Sequence, residues 1–242
     1  MEKITAISCP DRSMDDLYEV RELSALRKII AQRMSDATQT IPHFRAVMDI
    51  EVDTLLAVRK DYNAREGGVK VSVNDFIIKA VAHALMEEPA INVQFVDGMI
   101  HQYRQADISV VVEVDGGLVT PIIRAAEQKS LSQIGVEVRE LAARGRGGRL
   151  KMNEVFGGSF SVSNLGGYGI DAFDAIINAP QGAILAVGAA KQRPWIREGQ
   201  LVPAGVMRVV LSMDHRIIDG ATGARFLGVL RDTLQSPASL TN

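Results

Sequence analysis

The sequence predicts an α+β fold built on a mixed β-sheet flanked by helices. Strand-like runs outnumber the helices needed to cross between parallel strands, and several of those runs are joined by glycine-bearing turns instead of helices. The length of 242 residues can bury a large core without disulfides or a structural metal, so one globular unit is expected.

Taken in order, Leu23, Leu26, Ile30, Met34 and Ala37 recur at spacings of three and four, an apolar helical stripe with Arg27, Lys28 and Arg33 off it. That helix must stop before Pro42. "HFRAVMDIEVD" then switches to period two, with Phe44, Ala46, Met48, Ile50 and Val52 on one face of a half-buried strand. Asp53 is a candidate N-cap for the next helix, which "REGG" terminates, and Asn74 for "DFIIKAVAHALMEE", which ends near Pro89. "VQFVDGMIHQY" reads as a hairpin turning at Asp97-Gly98, and "ISVVVEVDGGLVTPII" as a second with a slightly longer turn at Gly116-Gly117. Ser130 opens an amphipathic helix through Ala143, which "RGRGGR" breaks. Three further strands, "GSFSVSN", "AILAVGAA" and "VMRVVLSM", precede a last helix from about Gly220 to Gln235.

With 27 basic against 29 acidic residues there is no large field to favour nucleic acid or an anionic membrane, and neither is expected as a partner. A single cysteine, Cys9, excludes an intrachain disulfide and a cysteine-based zinc site and fits a reducing interior. No apolar stretch approaches the roughly 20 residues of a spanning helix. The charged start "MEKITAISCPDRS" lacks the apolar core of a signal peptide. The phosphate loop GxxxxGK[ST], the GxSxG elbow, HExxH and a strand-linked GxGxxG are all missing from the sequence, which weighs against nucleotide hydrolysis, lipase-type and zincin chemistry.

Two constellations remain. In "LSMDHRIIDG" His215 sits where an apolar strand ends, among Asp214, Arg216 and Asp219, charges that are costly to bury unless paired. Its residues leave open a catalytic base or a packed structural histidine. A metal site is disfavoured, because His43, His83 and His101 lie in unrelated elements. In "SFSVSNLGGYGI", Ser159, Ser161 and Ser163 alternate onto one strand face, and Asn164 and glycines follow. That pattern is either an oxyanion donor beside a closely approached ligand or a polar strand face with a turn.

Together they carry a resemblance. "DHRIIDGATGARFL" is similar to the DHRxxDGA signature of the dihydrolipoamide acyltransferases, the core components of 2-oxoacid dehydrogenase complexes, and "SFSVSNLG" resembles their second signature. "IPHF", "SVNDFIIKAVAHAL" and "GLVTPII" match in order, so the resemblance covers the chain from about Val20. "NLGGYGIDAFDAIINAPQGAILAVG" is more similar to the acetyltransferases of pyruvate or acetoin complexes than to the branched-chain or succinyl enzymes.

The resemblance implies a fold like that of chloramphenicol acetyltransferase, with residues 21–242 as the catalytic domain after an N-terminal extension at 1–20. It implies a homotrimer with active sites in channels between subunits, and further assembly into a cubic or dodecahedral core. Coenzyme A and a lipoyl arm are the implied substrates. Because the family's lipoyl and subunit-binding domains have no counterpart in this sequence, lipoamide is expected from elsewhere. Those domains would also bring the decarboxylase and dihydrolipoamide dehydrogenase components. His215 is implied as general base on the thiol, Ser163 as the oxyanion donor, and Asp219 as a support that holds an arginine. Matching positions imply coenzyme A contacts at Arg59, Ser72, Asn164 and Gly188, with Glu113 a weaker candidate. For Arg59 a solvated helix charge remains an equal alternative. The implied compartment is the cytoplasm, or the mitochondrial matrix in a eukaryote. Two other readings stay in view: a purely architectural core protein, and an acetyltransferase of a small hydroxylated compound.

Overall fold

The computed structural model describes residues 17–65 and 68–241. Cys9, the charged start and Gly67 of "REGG" lie outside the described residues. Ser24 caps α1 (Ala25–Thr40) by accepting from Arg27 N–H, and Ala37 is the stripe residue that becomes fully buried. β1 (His43–Glu51) follows, and four of the five residues of the expected face, Ala46, Met48, Ile50 and Val52, reach the core, whereas Phe44 at its start is exposed.

At α2 (Asp53–Ala64) the expected cap is corrected. Val52 occupies the cap position, and the Asp53 carboxylate instead accepts the Gly205 N–H at 2.9 Å and pairs with Arg197. Asn74 is corrected in the same way at α3 (Val73–Glu87). Ser72 caps it, exchanging bonds with Asp75 in a capping box that satisfies two otherwise orphaned N–H groups. Asn74, two residues on, is free to reach elsewhere.

β2 (Val93–Val96) and β3 (Met99–Gln102) form the first hairpin, with Asp97 and Gly98 at φ 51° and 77° as the tight turn demands. β4 (Ile108–Val110) leaves the second hairpin for the main sheet. That hairpin is β5 (Val112–Val114) with β6 (Gly117–Val119), and Val114 pairs with Gly117. Its turn is therefore the two residues Asp115-Gly116, shorter than expected, with Gly116 at φ 81°. β7 (Ile122–Ile123) returns to β4, and α4 (Leu131–Arg146), boxed at Ser130 by Gln133, runs three residues past Ala143 before Gly147 ends it.

After the short α5 (Met152–Val155) come β8 (Phe160–Asn164), β9 (Ala183–Val187), β10 (Lys191–Arg197), β11 (Gln200–Asp214) and α6 (Gly220–Gln235). β10 has no counterpart in the sequence reading: its charges and Pro194 disguise an edge strand, which the tight turn at Glu198-Gly199 folds onto β11.

The sheet order is β1-β11-β9-β8-β4-β7, with β10 also on β11. β4, β8 and β9 run parallel and the remaining pairs antiparallel, so the sheet is mixed as predicted. Alternation along β9 explains its continuous apolar run. Ala183, Leu185 and Val187 enter the main core with α3 and α6, while Ile184 and Ala186 enter a smaller one with Ala37, Ile41, Ala175, Ile177 and Val210.

Candidate active site

His215 follows the last residue of β11 on a turn with little freedom. The Asp214 carboxylate beneath it is buried and takes the Arg216 guanidinium through Nε at 2.9 Å and Nη2 at 2.6 Å. Arg216 also lies over the Phe95 ring at 4.5 Å, and the Asp214 carbonyl accepts the N–H groups of Ile217 and Ile218. The one buried charge beside the histidine, Asp214, is thus paired, as its burial requires. His215 itself is exposed; its backbone N–H donates to Pro42 and its ring meets the Phe44 edge at 4.7 Å. Among the described residues its imidazole makes no hydrogen bond, which leaves both nitrogens available to a substrate.

Asp219 is corrected. Among the described residues it forms no ion pair; its carboxylate caps α6, accepting the Thr222 N–H at 2.7 Å. The arginine that braces this turn is Arg216, and it braces Asp214. The Thr222 backbone bond, foremost, holds the Asp219 carboxyl below its ordinary range. A lowered folded-state pKa stabilises the fold above the ordinary carboxylate range, and that contribution disappears as pH falls through the folded value. Asp219→Asn keeps an acceptor for Thr222 and should melt close to wild type at neutral pH, whereas Asp219→Ala should melt lower; equal melting of the two variants would remove the cap from the account.

Ser163 stands half-buried near the end of β8, where two cavities meet. One, of about 320 Å³, is walled by Ile30 and Met34 of α1 and by Phe173 and Ile176. The other, of about 660 Å³, is bounded by Glu113, Asn164, Tyr168 and Arg146. Glu113 accepts the Tyr168 hydroxyl across its mouth.

Asn164 donates to the Asn74 side chain at 3.0 Å and accepts the Gly166 N–H at 2.8 Å, which ties the Ser163 loop to the start of α3. Ser72 caps that same helix end, and Arg59 donates to the Val71 carbonyl at 3.0 Å beside it. From the cavity at Ser163, lined by Glu113 and Asn164, a chain of hydrogen-bonded neighbours runs by the start of α3 to Ser72 and Arg59. Asn74 belongs to that chain and Tyr168 to the cavity, and the sequence reading missed both: Asn74 looked like a cap, and Tyr168 like part of a glycine turn.

Gly188 is a different case. A Cβ there would stand 2.1 Å from the Asp171 carbonyl oxygen, so its missing side chain is explained by close backbone packing.

The chain does not bring His215 and Ser163 together. Ser163 pairs with Ala186, and Ala186 with Val210, which lies five residues before His215. Five residues along and two strands across place them about 19 Å apart.

Residues 16–241 match the family model of the 2-oxoacid dehydrogenases acyltransferase catalytic domain. The chain belongs to this family. Among its relatives, the dihydrolipoyllysine-residue acetyltransferase component of the pyruvate dehydrogenase complex of Zymomonas mobilis is 42% identical over 97% of this chain and 55% of its own length. The chain thus spans about half the length of the curated relatives it matches. The Azotobacter vinelandii dihydrolipoamide acetyltransferase, solved to investigate a serine, a histidine and an asparagine in its catalytic mechanism, superposes with a TM-score of 0.88 at 32% identity, covering 98% of this chain and 100% of that one. The cubic core of a pyruvate dehydrogenase multienzyme complex superposes equally well, at 0.88 and 31% identity over 98% and 100% of the two chains. A chloramphenicol acetyltransferase, at 18% identity and a TM-score of 0.51 over 80% and 86% of the chains, shares the fold alone, as the family resemblance implied.

Proposed function

We propose that residues 21–242 of this family member form a catalytic domain that transfers an acyl group, acetyl by its closer relatives, between dihydrolipoamide and coenzyme A. One observation carries the reading: Ser163, His215 and Asp219 are separated by the same intervals as the serine, histidine and asparagine investigated in the Azotobacter enzyme. Aspartate replaces that asparagine here, and both side chains offer the acceptor that caps α6.

Neutral His215 takes the proton from the coenzyme A thiol, a group of pKa about 8.5 that is mostly protonated at neutral pH. The thiolate attacks the acetyl thioester carbonyl of the acetylated lipoyl arm. Negative charge gathers on the carbonyl oxygen, and the Ser163 hydroxyl donates to it, a contribution typically of about 3 kcal/mol. Collapse breaks the bond to the lipoyl sulfur, which receives the proton held by His215. The helix end at Ser72, with Arg59 beside it, suits a phosphate of coenzyme A, and the cavity between Glu113 and Asn164 suits its thiol arm.

Both groups must reach one carbonyl within hydrogen-bond distance, and a single chain holds them about 19 Å apart. The catalytic unit is therefore an oligomer, a trimer by the family resemblance, in which one subunit's His215 faces its neighbour's Ser163. Further assembly into a cubic or dodecahedral core is part of the same reading, supported by the likeness to a cubic core. A lipoyl domain and the decarboxylase and dihydrolipoamide dehydrogenase components are the partners it requires. No helix among the described residues is long and apolar enough to cross a membrane, and bacterial and mitochondrial relatives support a cytoplasmic or matrix setting.

The direct test incubates the protein with acetyl-coenzyme A and free dihydrolipoamide, with chloramphenicol offered in parallel. Acetyl-dihydrolipoamide is the expected product. Its failure to form, or acetylation of chloramphenicol alone, would overturn the proposal.

A further inference from the structure

We propose that His43 is a positioning residue for the Ser163 cavity, and that its neutral form pins the wall of that cavity so that protonation releases it. His43 opens β1, the strand that follows α1. Its Nδ1 lies 2.9 Å from the Ile41 carbonyl oxygen, and its Nε2 lies 3.1 Å from the Ile177 backbone nitrogen. A carbonyl only accepts and an amide only donates, so the ring carries its one proton on Nδ1 and offers a lone pair at Nε2.

The bond matters because of where Ile177 is. Asp171–Asn178 is irregular backbone, and among the described residues the Ile177 N–H is the one amide of this stretch that donates to a protein acceptor. Ile177 is completely buried in the smaller core, where a backbone N–H left without an acceptor is costly, and His43 is the acceptor it has. The same stretch supplies Phe173, Asp174, Ile176 and Asn178 to the cavity of about 320 Å³ that Ser163 faces.

A proton added at Nε2 turns the acceptor into a donor that confronts the amide and orphans a buried N–H. The surrounding charges do not offset it. Arg45 on the same strand pairs with Asp174 of the wall, and Asp214, the register partner of His43 on β11, is taken by Arg216. Arg33 of α1 adds a further cation, donating to Asn178 and Ala179. Cationic His43 is relieved when the wall moves away. That the wall bears on acyl transfer rests on the proposed function; the release itself does not.

Hydrogen exchange of the intact protein, without substrates, at about pH 8 and about pH 5 reads the release directly once intrinsic rates are divided out. Protection at Ile177 should fall by about tenfold or more on acidification, while β9 keeps its own. In His43→Gln the side-chain carbonyl accepts from Ile177 at either pH, and protection should stay constant. Equal protection at both pH values in the wild type, a comparison that needs no variant, would overturn the proposal, as would the same acid loss in His43→Gln. A protein that transfers no acyl group yet shows this exchange pattern would refute the proposed function and still support the role of His43.

Discussion

Chains with His215→Ala and chains with Ser163→Ala should each lose acyl transfer, by about 10²- to 10⁴-fold and about 10²- to 10³-fold respectively, yet regain activity when reassembled together. On the proposed shared site, each interface needs an intact Ser163 from one subunit and an intact His215 from its neighbour. In an equal, randomly assembled mixture about one interface in four meets that condition, so about a quarter of the wild-type rate should return. The reason is the register of the sheet: β9 stands between β8 and β11, and Ser163 falls opposite Val210, well short of His215. If the site were built within one chain, every mixed trimer would carry only damaged sites. A mixture no more active than the mean of the two variants would therefore reject a shared site.

Gly188→Ala should lower stability by about 3 kcal/mol, among the larger effects of a single added methyl. Gly188 follows β9, and its N–H donates to the Arg208 carbonyl at 2.9 Å. The new Cβ would stand 2.1 Å from the carbonyl oxygen and 2.8 Å from the carbonyl carbon of Asp171. Both are backbone atoms, so no rotamer change relieves the clash. Moving Asp171 strains its pairs with Lys191 and Arg193 and the bond from Ala189 to Ile170 beside the Ser163 loop. Urea unfolding should show a lower midpoint with an unchanged slope. A loss below about 0.5 kcal/mol together with weaker coenzyme A binding would instead return Gly188 to the ligand-contact role implied by the family resemblance.

Much of the architecture was legible because periodicity and turn chemistry act over a few residues. The end of α3 before Pro89, the hairpin at Asp97-Gly98 and the span of α6 all follow from local patterns. The misreadings share a cause. Asp53 and Asn74 are good caps by residue type, but Gly205 and Asn164, distant in sequence, compete for their side chains. The edge strand β10 was missed because an exposed strand has no apolar face to reveal it, and Lys191–Arg197 is held by pairing with β11.

The sequence by itself determined the fold class and the family and singled out His215, Ser163 and Asp219 as candidates, because short motifs and hydrophobic period survive without coordinates. Only the tertiary structure decided what each does in the chain: Asp219 caps a helix, Gly188 admits a neighbouring backbone, and Arg216 braces the turn that presents His215. It also decided that His215 and Ser163 lie too far apart to meet within one chain. The order and register of strands set that distance, and they depend on pairings between segments remote in sequence that no local pattern encodes.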